Sequence, residues 1–426
     1  MTPDAFNGGA APAQHARDFF LARQPILNRQ QHLVAYELLF RDAASGAANV
    51  VDHVAATATV MAHVAELGLD NVVGESLGFV NIDAAVLMSD FIGFLPADKV
   101  VLEILETVKV TPAIIARIKE LSEAGYQFAL DDVVVKSEDV RQLLPLAHVI
   151  KVDILGVQPD ALRSLVFQLK QGGKKLLAEK VETIAEFETC LDLGFDYFQG
   201  YYFAKPLILS GKKLAPSQLA IVQLMNQIVA DEDSTVLEHT IKHDVSLSLN
   251  LLRLVNSVGI SGGRHIESVG QALIVLGRVQ LQRWLQILLY AGAGQGDGLK
   301  SPLLALATAR GKLLELMTLK RYPDHRSLSE KSFTVGIMSL MDVLFGLPME
   351  AVLGQLTVAQ EVHDALLFRR GELGDMLKLA EYIERIEQAW PLLLPVMRKL
   401  GLSAEDVAEL QVHAFRWSNS IADASA

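Results

Sequence analysis

The chain has 426 residues, 51% of them hydrophobic and 21% charged, which excludes a disordered or fibrous protein and is enough for two or three domains with cores of their own. A net charge of −12 argues against general affinity for nucleic acid or an anionic membrane face, while leaving open a local basic pocket for one small anion. The single cysteine, Cys190, excludes an internal disulfide and fits a reducing cytosol.

Residues 1–16, MTPDAFNGGAAPAQHA, have neither a basic start nor an apolar core, so they read as a disordered leader rather than a secretory signal. From residue 17 onward short β-rich runs follow one another: FFLARQPIL, HLVAYELLF, LGFVNI, KVVLEIL, YQFALDD, HVIKVDI, KKLLAEKV and DYFQGYYFA. Helical windows at 51–68, 112–125, 160–172 and 184–194 lie between them, with Pro112 at a helix start and Gly68, Gly125, Gly172 and Gly194 at helix ends. Strand–helix repetition with nearly continuous apolar strands predicts an α/β fold with parallel strands, and so many units in so short a stretch predict a closed barrel.

SGKKLAP at 210–216 is a hydrophilic break. Beyond it apolar residues recur every three or four positions, predicting helices near 214–230, 235–256, 267–292, 302–320, 331–345, 349–354, 358–369, 374–390 and 404–417. The second half is therefore expected to be all-α. The uncharged stretch at 214–230 carries Ser217, Gln218, Gln223, Asn226 and Gln227 and reads as an amphipathic helix, so a cytoplasmic protein without a membrane span is expected.

Polar residues gather at the C-terminal ends of the predicted strands: Glu37, Asn81 with Asp83, Glu103 with Glu106, Asp131 with Asp132, Lys151 with Asp153, Glu179 with Glu182, and Gln199. In a barrel these ends meet at one face, where catalytic loops sit. One acid after a strand is ordinarily a helix cap or a solvated loop residue. Oxygen donors converging from so many strand ends instead suit hard cations such as Mg²⁺ or Mn²⁺, a pair of which can clamp a phosphodiester and generate a hydroxide nucleophile.

ELLFR at 37–41 resembles the E-x-L-x-R signature of EAL domains, the bacterial cyclic di-GMP phosphodiesterases, and NID, LEILE, LDD, IKVD, AEKVE and QGYYFAKP resemble the rest of that motif series in order. The resemblance spans 17–210 and implies a (β/α)8-type barrel with a site for cyclic di-GMP that depends on Mg²⁺ or Mn²⁺. By position it implies that Glu37, Asn81, Glu103 and Asp131 ligate a first metal, and that Asp131 and Asp132 serve a second. Lys151 would orient or deprotonate the attacking water, with Glu179 a ligand of metal or water and Gln199 a neighbour of that water. Leu39 and Arg41 would contact the nucleotide, the planar Arg41 fork suiting a phosphate oxygen. Glu106 and Glu182 would be outer acids that brace ligands or anchor loops. The family's D-D-F-G-x-G is DDVVVKSED here, its E-G-V-E is EKVE with Lys180 in place of glycine, and Asp83 stands where a serine is usual. The loop at 133–135 and Lys180 are therefore expected to disturb the supports of the site, with Lys180 competing for Glu179.

LLRLVNSVGISGGRHIESVGQALIVLGRVQLQRWLQILL at 251–289 and EKSFTVGIMSLMDVLFGLPM at 330–349 resemble the HDOD domain, a helical relative of HD phosphohydrolases without their metal ligands. His243–Asp244 and His363–Asp364 lack further partners at matched spacing and read as surface or cap residues. The expected division is a leader at 1–16, an EAL-like barrel at 17–210, a linker at 211–216, an HDOD domain at 217–415 and a tail at 416–426, with barrel and helical half folding separately. Three functions follow: a cyclic di-GMP effector with slow or absent turnover, ranked first for its altered loops; an active phosphodiesterase regulated by HDOD; and a scaffold acting through protein contacts alone. Cyclic di-GMP and an unidentified protein docking on HDOD are the expected partners, with no direct nucleic-acid or membrane binding and a homodimer left open.

Overall fold

Eight segments rich in β-branched and aromatic residues pair into a closed barrel in chain order: β1 Phe19–Asn28, β2 Leu33–Asp42, β3 Leu77–Ile82, β4 Val100–Ile104, β5 Gln127–Leu130, β6 Val149–Asp153, β7 Lys175–Glu179 and β8 Tyr197–Gln199. A computed structural model describes residues 19–42, 68–131, 138–204, 216–256, 266–291 and 301–423; the leader, most of the window at 51–68, the loop at 133–135 and nearly all of the linker lie outside them. Strands β2 to β8 pair in parallel, but β1 is antiparallel to both neighbours, because residues 29–32 join it to β2 as a hairpin instead of a helical crossover. Around the barrel lie α1 Leu69–Val73, α2 Ala84–Leu87, α3 Pro112–Glu123, α4 Glu138–Leu143, α5 Pro159–Lys170 and α6 Ile184–Leu193. Their starts are written locally: Thr111 caps α3 ahead of Pro112, and Thr183 with Glu186 forms a reciprocal cap on α6.

The second half is helical throughout its described residues: α7 Pro216–Val229, α8 Ser234–Lys242, α9 Val245–Asn256, α10 Val269–Ala291, α11 Pro302–Arg321, α12 Arg326–Met338, α13 Met341–Phe345, α14 Met349–Leu353, α15 Gln360–Phe368, α16 Gly371–Glu384, α17 Ile386–Leu400 and α18 Ala404–Asp423. Two windows divide differently from the sequence reading. Residues 235–256 form α8 and α9, because Asp244 takes the amide of Leu247 and starts a new helix. Residues 374–390 straddle α16 and α17, broken at Arg385, whose φ of −114° and ψ of 43° are not helical. The last helix also runs through the expected tail, since Ser418 is buried and bonds Thr308 of α11 at 2.7 Å. Among the described residues no helix is long and apolar enough to cross a membrane.

The two halves share packing. Phe20 and Ala22 of β1 belong to the helical core, and Phe20 meets the Trp390 ring edge-on at 5.4 Å. Ala309, Val412 and Phe415 in turn pack into the layer around the barrel. Arg23 lies between the rings of Tyr36 and Phe415, at 4.2 and 3.9 Å, and donates to the Val72 carbonyl and Asn419. Gln411 of α18 donates to the Leu21 carbonyl at 2.7 Å.

Candidate active site

The pleat of the strands builds the site. Side chains two apart on a strand share a face, so each strand of a barrel contributes to the interior in layers. One interior layer is apolar: Ile26, Ala35, Phe79, Val101, Ala129, Val149 and Leu177, with Tyr197 against it. Two residues onward on the parallel strands, and two residues back on antiparallel β1, stand Gln24, Glu37, Asn81, Glu103, Asp131, Lys151, Glu179 and Gln199. The register sets Gln24 opposite Glu37 and Asn81 opposite Glu103. A polar layer thus rests on an apolar floor, at the end of the barrel where the strand C-termini meet.

Lys151 is the centre of this layer. It is 1% exposed, and its ammonium touches Glu103, lies 2.9 Å from Glu179 and 3.2 Å from Glu37, and is 3.8 Å from Asp131. Glu37 is held further by the amides of Asn81, at 3.1 Å, and Gln199, which also reaches Gln24 at 2.9 Å. Charge follows from this geometry. Burial pulls Lys151 down, but Glu103, Glu37, Glu179 and Asp131 together outweigh it and hold the ammonium well above the ordinary lysine value. Burial, aided by repulsion from Glu37, pushes Glu103 well up, and burial raises Glu179 to about 7 against the opposing pull of Lys151. Glu37 is buried too, yet Lys151 and the Gln199 and Asn81 hydrogen bonds bring it below the usual carboxylate range.

Three buried oxygens in this layer, Asn81 Oδ1, Glu103 Oε2 and Gln199 Oε1, have no hydrogen-bond donor among the described residues. An unpartnered buried acceptor is costly, and three in one layer, from β3, β4 and β8, leave acceptor capacity that a bound cation can use. Their all-oxygen chemistry fits Mg²⁺ or Mn²⁺. As the side chains stand, no group of three or more acidic, histidine or cysteine residues among those described surrounds one metal-sized position; the Lys151 ammonium stands among the carboxylates.

The sequence-predicted residues divide by position. Glu37, Asn81, Glu103, Asp131, Lys151, Glu179 and Gln199 line or underlie one cavity of about 360 Å³, with Leu39 on its wall and Glu106 and Glu182 at its rim. Glu106 is exposed, and the Glu182 amide donates to Glu186 of the α6 cap. Arg41 lies on β2, but its side chain falls outside the described residues, as does Asp132. Asp83 caps α2, accepting from the amides of Ala85 and Val86. Lys180 takes φ = 57°, the left-handed conformation that a glycine adopts freely, so this backbone is kept with a lysine in it. Its ammonium pairs with Asp153, while Lys151 lies 2.9 Å from Glu179. Gly200 has no substitute: with φ = 146°, a Cβ there would lie 2.0 Å from the Val181 carbonyl oxygen.

Two groups of lining residues escaped the sequence reading. Gln24 escaped because β1 runs backwards, and counting two residues towards its N-terminus from Ile26 is the signal that finds it. Glu384, Arg385, Ile386 and Gln388, from the break between α16 and α17, close one side of the mouth. The Tyr201 hydroxyl donates to the Glu384 carbonyl, which the break leaves without a helical amide, and the Glu384 carboxylate is gripped by both arms of buried Arg310 at 2.9 and 2.6 Å.

Comparison with known proteins agrees with this architecture. Residues 10–206 match the EAL domain and residues 215–296 the HDOD domain, the latter shorter than the helical half. The cyclic di-GMP phosphodiesterase CdgJ of Vibrio cholerae is 33% identical over 410 residues, covering 94% of this chain and 93% of CdgJ. The uncharacterized protein YuxH of Bacillus subtilis is 31% identical over 415 residues, covering 95% of this chain and 99% of YuxH. A solved standalone EAL protein of Vibrio cholerae O395, in its c-di-GMP-bound form, is 25% identical, covering 44% of this chain and 92% of its own at a TM-score of 0.36. With both domain matches in order and two relatives aligned across almost the whole length, this chain belongs to the family of proteins that join an EAL domain to an HDOD domain.

Proposed function

We propose that this protein is a metal-dependent phosphodiesterase that hydrolyses cyclic di-GMP to the linear dinucleotide in the cytoplasm. The observation that carries the reading is the polar layer itself: four carboxylates, two carboxamides and one lysine from seven strand ends, three of whose oxygens have no donor among the described residues. The likeness to a phosphodiesterase along the full chain supports it. Glu37, Asn81, Glu103 and Asp131 are the residues that would hold a first Mg²⁺ or Mn²⁺, with Asp131 and Asp132 serving a second and Glu179 beside them. Such an ion, when bound, polarises the phosphodiester and lowers the pKa of the attacking water. Lys151 supplies the buried positive charge that orients that water, Gln199 braces Glu37, and Arg41 and Leu39 contact the nucleotide. The helical half, tied to the rim through Arg310, Glu384 and Tyr201, serves as the module through which a protein partner acts on the site.

The sequence alone ranks first an effector that binds cyclic di-GMP with slow or absent turnover. That reading keeps one specific support, the valines at 133–135 where the family's loop has glycines. The other support is weaker, because Lys180 holds the glycine-like backbone. Chromatography of cyclic di-GMP incubated with the full chain and Mg²⁺ tests the proposal. The expected result is conversion to the linear dinucleotide, lost in Glu37→Gln. Binding without product would favour the effector.

A further inference from the structure

Among the described residues three cationic side chains reach the cavity wall, and two are already committed to acids. Lys151 sits among the carboxylates of the polar layer, and Lys180 is paired with Asp153. Arg385, between α16 and α17, differs. It is exposed, it has no carboxylate within 4 Å among the described residues, and its recorded contact is the Tyr201 ring, 4.7 Å from the guanidinium carbon. The junction that carries it is fixed from both sides, by Tyr201 on the Glu384 carbonyl and by Arg310 on the Glu384 carboxylate.

A cyclic dinucleotide has two phosphodiesters on opposite sides of its macrocycle. With the scissile one on the polar layer, the other faces the mouth, where Glu106 and Glu182 stand and Lys180 is already paired with Asp153. A guanidinium stacked on an aromatic ring keeps its N–H edges free, and its planar fork suits two phosphate oxygens. We propose that Arg385 of the helical domain is a substrate-binding residue that grips the non-scissile phosphate, so that the nucleotide pocket is completed by the HDOD half of the chain. This rests on the cyclic di-GMP reading.

The test compares the full-length protein with Arg385→Ala and Arg385→Lys, using cyclic di-GMP and Mg²⁺. Loss of a charge-assisted contact predicts that KM, or the calorimetric Kd, rises about tenfold or more in Arg385→Ala, while kcat moves far less. Arg385→Lys is expected to recover part of the affinity, because it restores charge without the fork. Because the side chain is exposed, the ligand-free melting temperature is expected to stay at the wild-type value. Equal affinity in wild type and Arg385→Ala overturns the proposal and leaves the phosphodiesterase reading intact. A wild-type protein that neither binds nor hydrolyses cyclic di-GMP overturns both.

Discussion

Lys151 shows how much one buried residue organises. Its ammonium offsets carboxylates drawn from four other strands, and removing one partner of a buried ion pair leaves charge uncompensated at a cost of about 3–5 kcal/mol. Lys151→Met is therefore expected to melt lower than wild type in chelator, to regain stability when Mg²⁺ is added, and to lose turnover. A variant whose melting ignores Mg²⁺ would show that the carboxylates do not take up the ion. Glu179, raised to about 7, gives a second prediction. Below that pH it holds a proton that an incoming cation must displace, so Mg²⁺ affinity rises with pH up to about 7 and levels off above it. The sign for folding is opposite. An acid bound more tightly to its proton in the folded state stabilises the metal-free protein at low pH, and that contribution fades as pH rises from 4.5 to about 7. Calorimetric titration with Mg²⁺ on either side of that value, in wild type and Glu179→Gln, checks the point; a flat profile in both would contradict it.

At the scale of elements, close approach decides what the chain tolerates. Helices α11 and α12 cross where Gly336 meets Gly311, and a Cβ on Gly336 would stand 2.6 Å from the Gly311 Cα and 2.7 Å from the Arg310 carbonyl oxygen. Overpacking of this kind costs about 1–3 kcal/mol or more. Gly336→Ala should lower the unfolding midpoint accordingly, and, because Arg310 holds Glu384, should also loosen the rim and raise KM for cyclic di-GMP. Unchanged stability would mean that the two helices separate freely. Elements also mark where the sequence was readable. Period-two alternation and strand-end polarity were visible for β2 to β8, so seven of the eight polar-layer positions could be named from the sequence. Gln24 was hidden by the reversed direction of β1. The break at Arg385 was hidden because neither glycine nor proline marks it; a tertiary partner, Tyr201, takes the carbonyl that a continuous helix would have used.

Across the whole molecule, the alternation that builds the site also joins the halves. Beyond the polar layer, the next positions on the same alternation are Ala22 and Phe20 on β1 and Leu39 on β2, all packed into the helical core. No local pattern distinguishes these from ordinary barrel residues, which is why the sequence suggested two separately folding units. Phe20 is fully buried, and Phe→Ala changes in cores cost about 3–5 kcal/mol. Calorimetry of Phe20→Ala is expected to show one cooperative transition moved down as a whole; two resolved transitions, of which only one shifts, would mean independent domains.

Hydrolysis by the strand-end layer is the central claim, and its most direct measurement is turnover of cyclic di-GMP by the full chain in ¹⁸O-labelled water, with the product weighed by mass spectrometry. Attack by water on the scissile phosphodiester predicts a linear dinucleotide carrying one ¹⁸O on its terminal phosphate, formed only with Mg²⁺ or Mn²⁺ and absent in Glu37→Gln. Cyclic di-GMP recovered intact and unlabelled from a protein shown to bind it would contradict the claim.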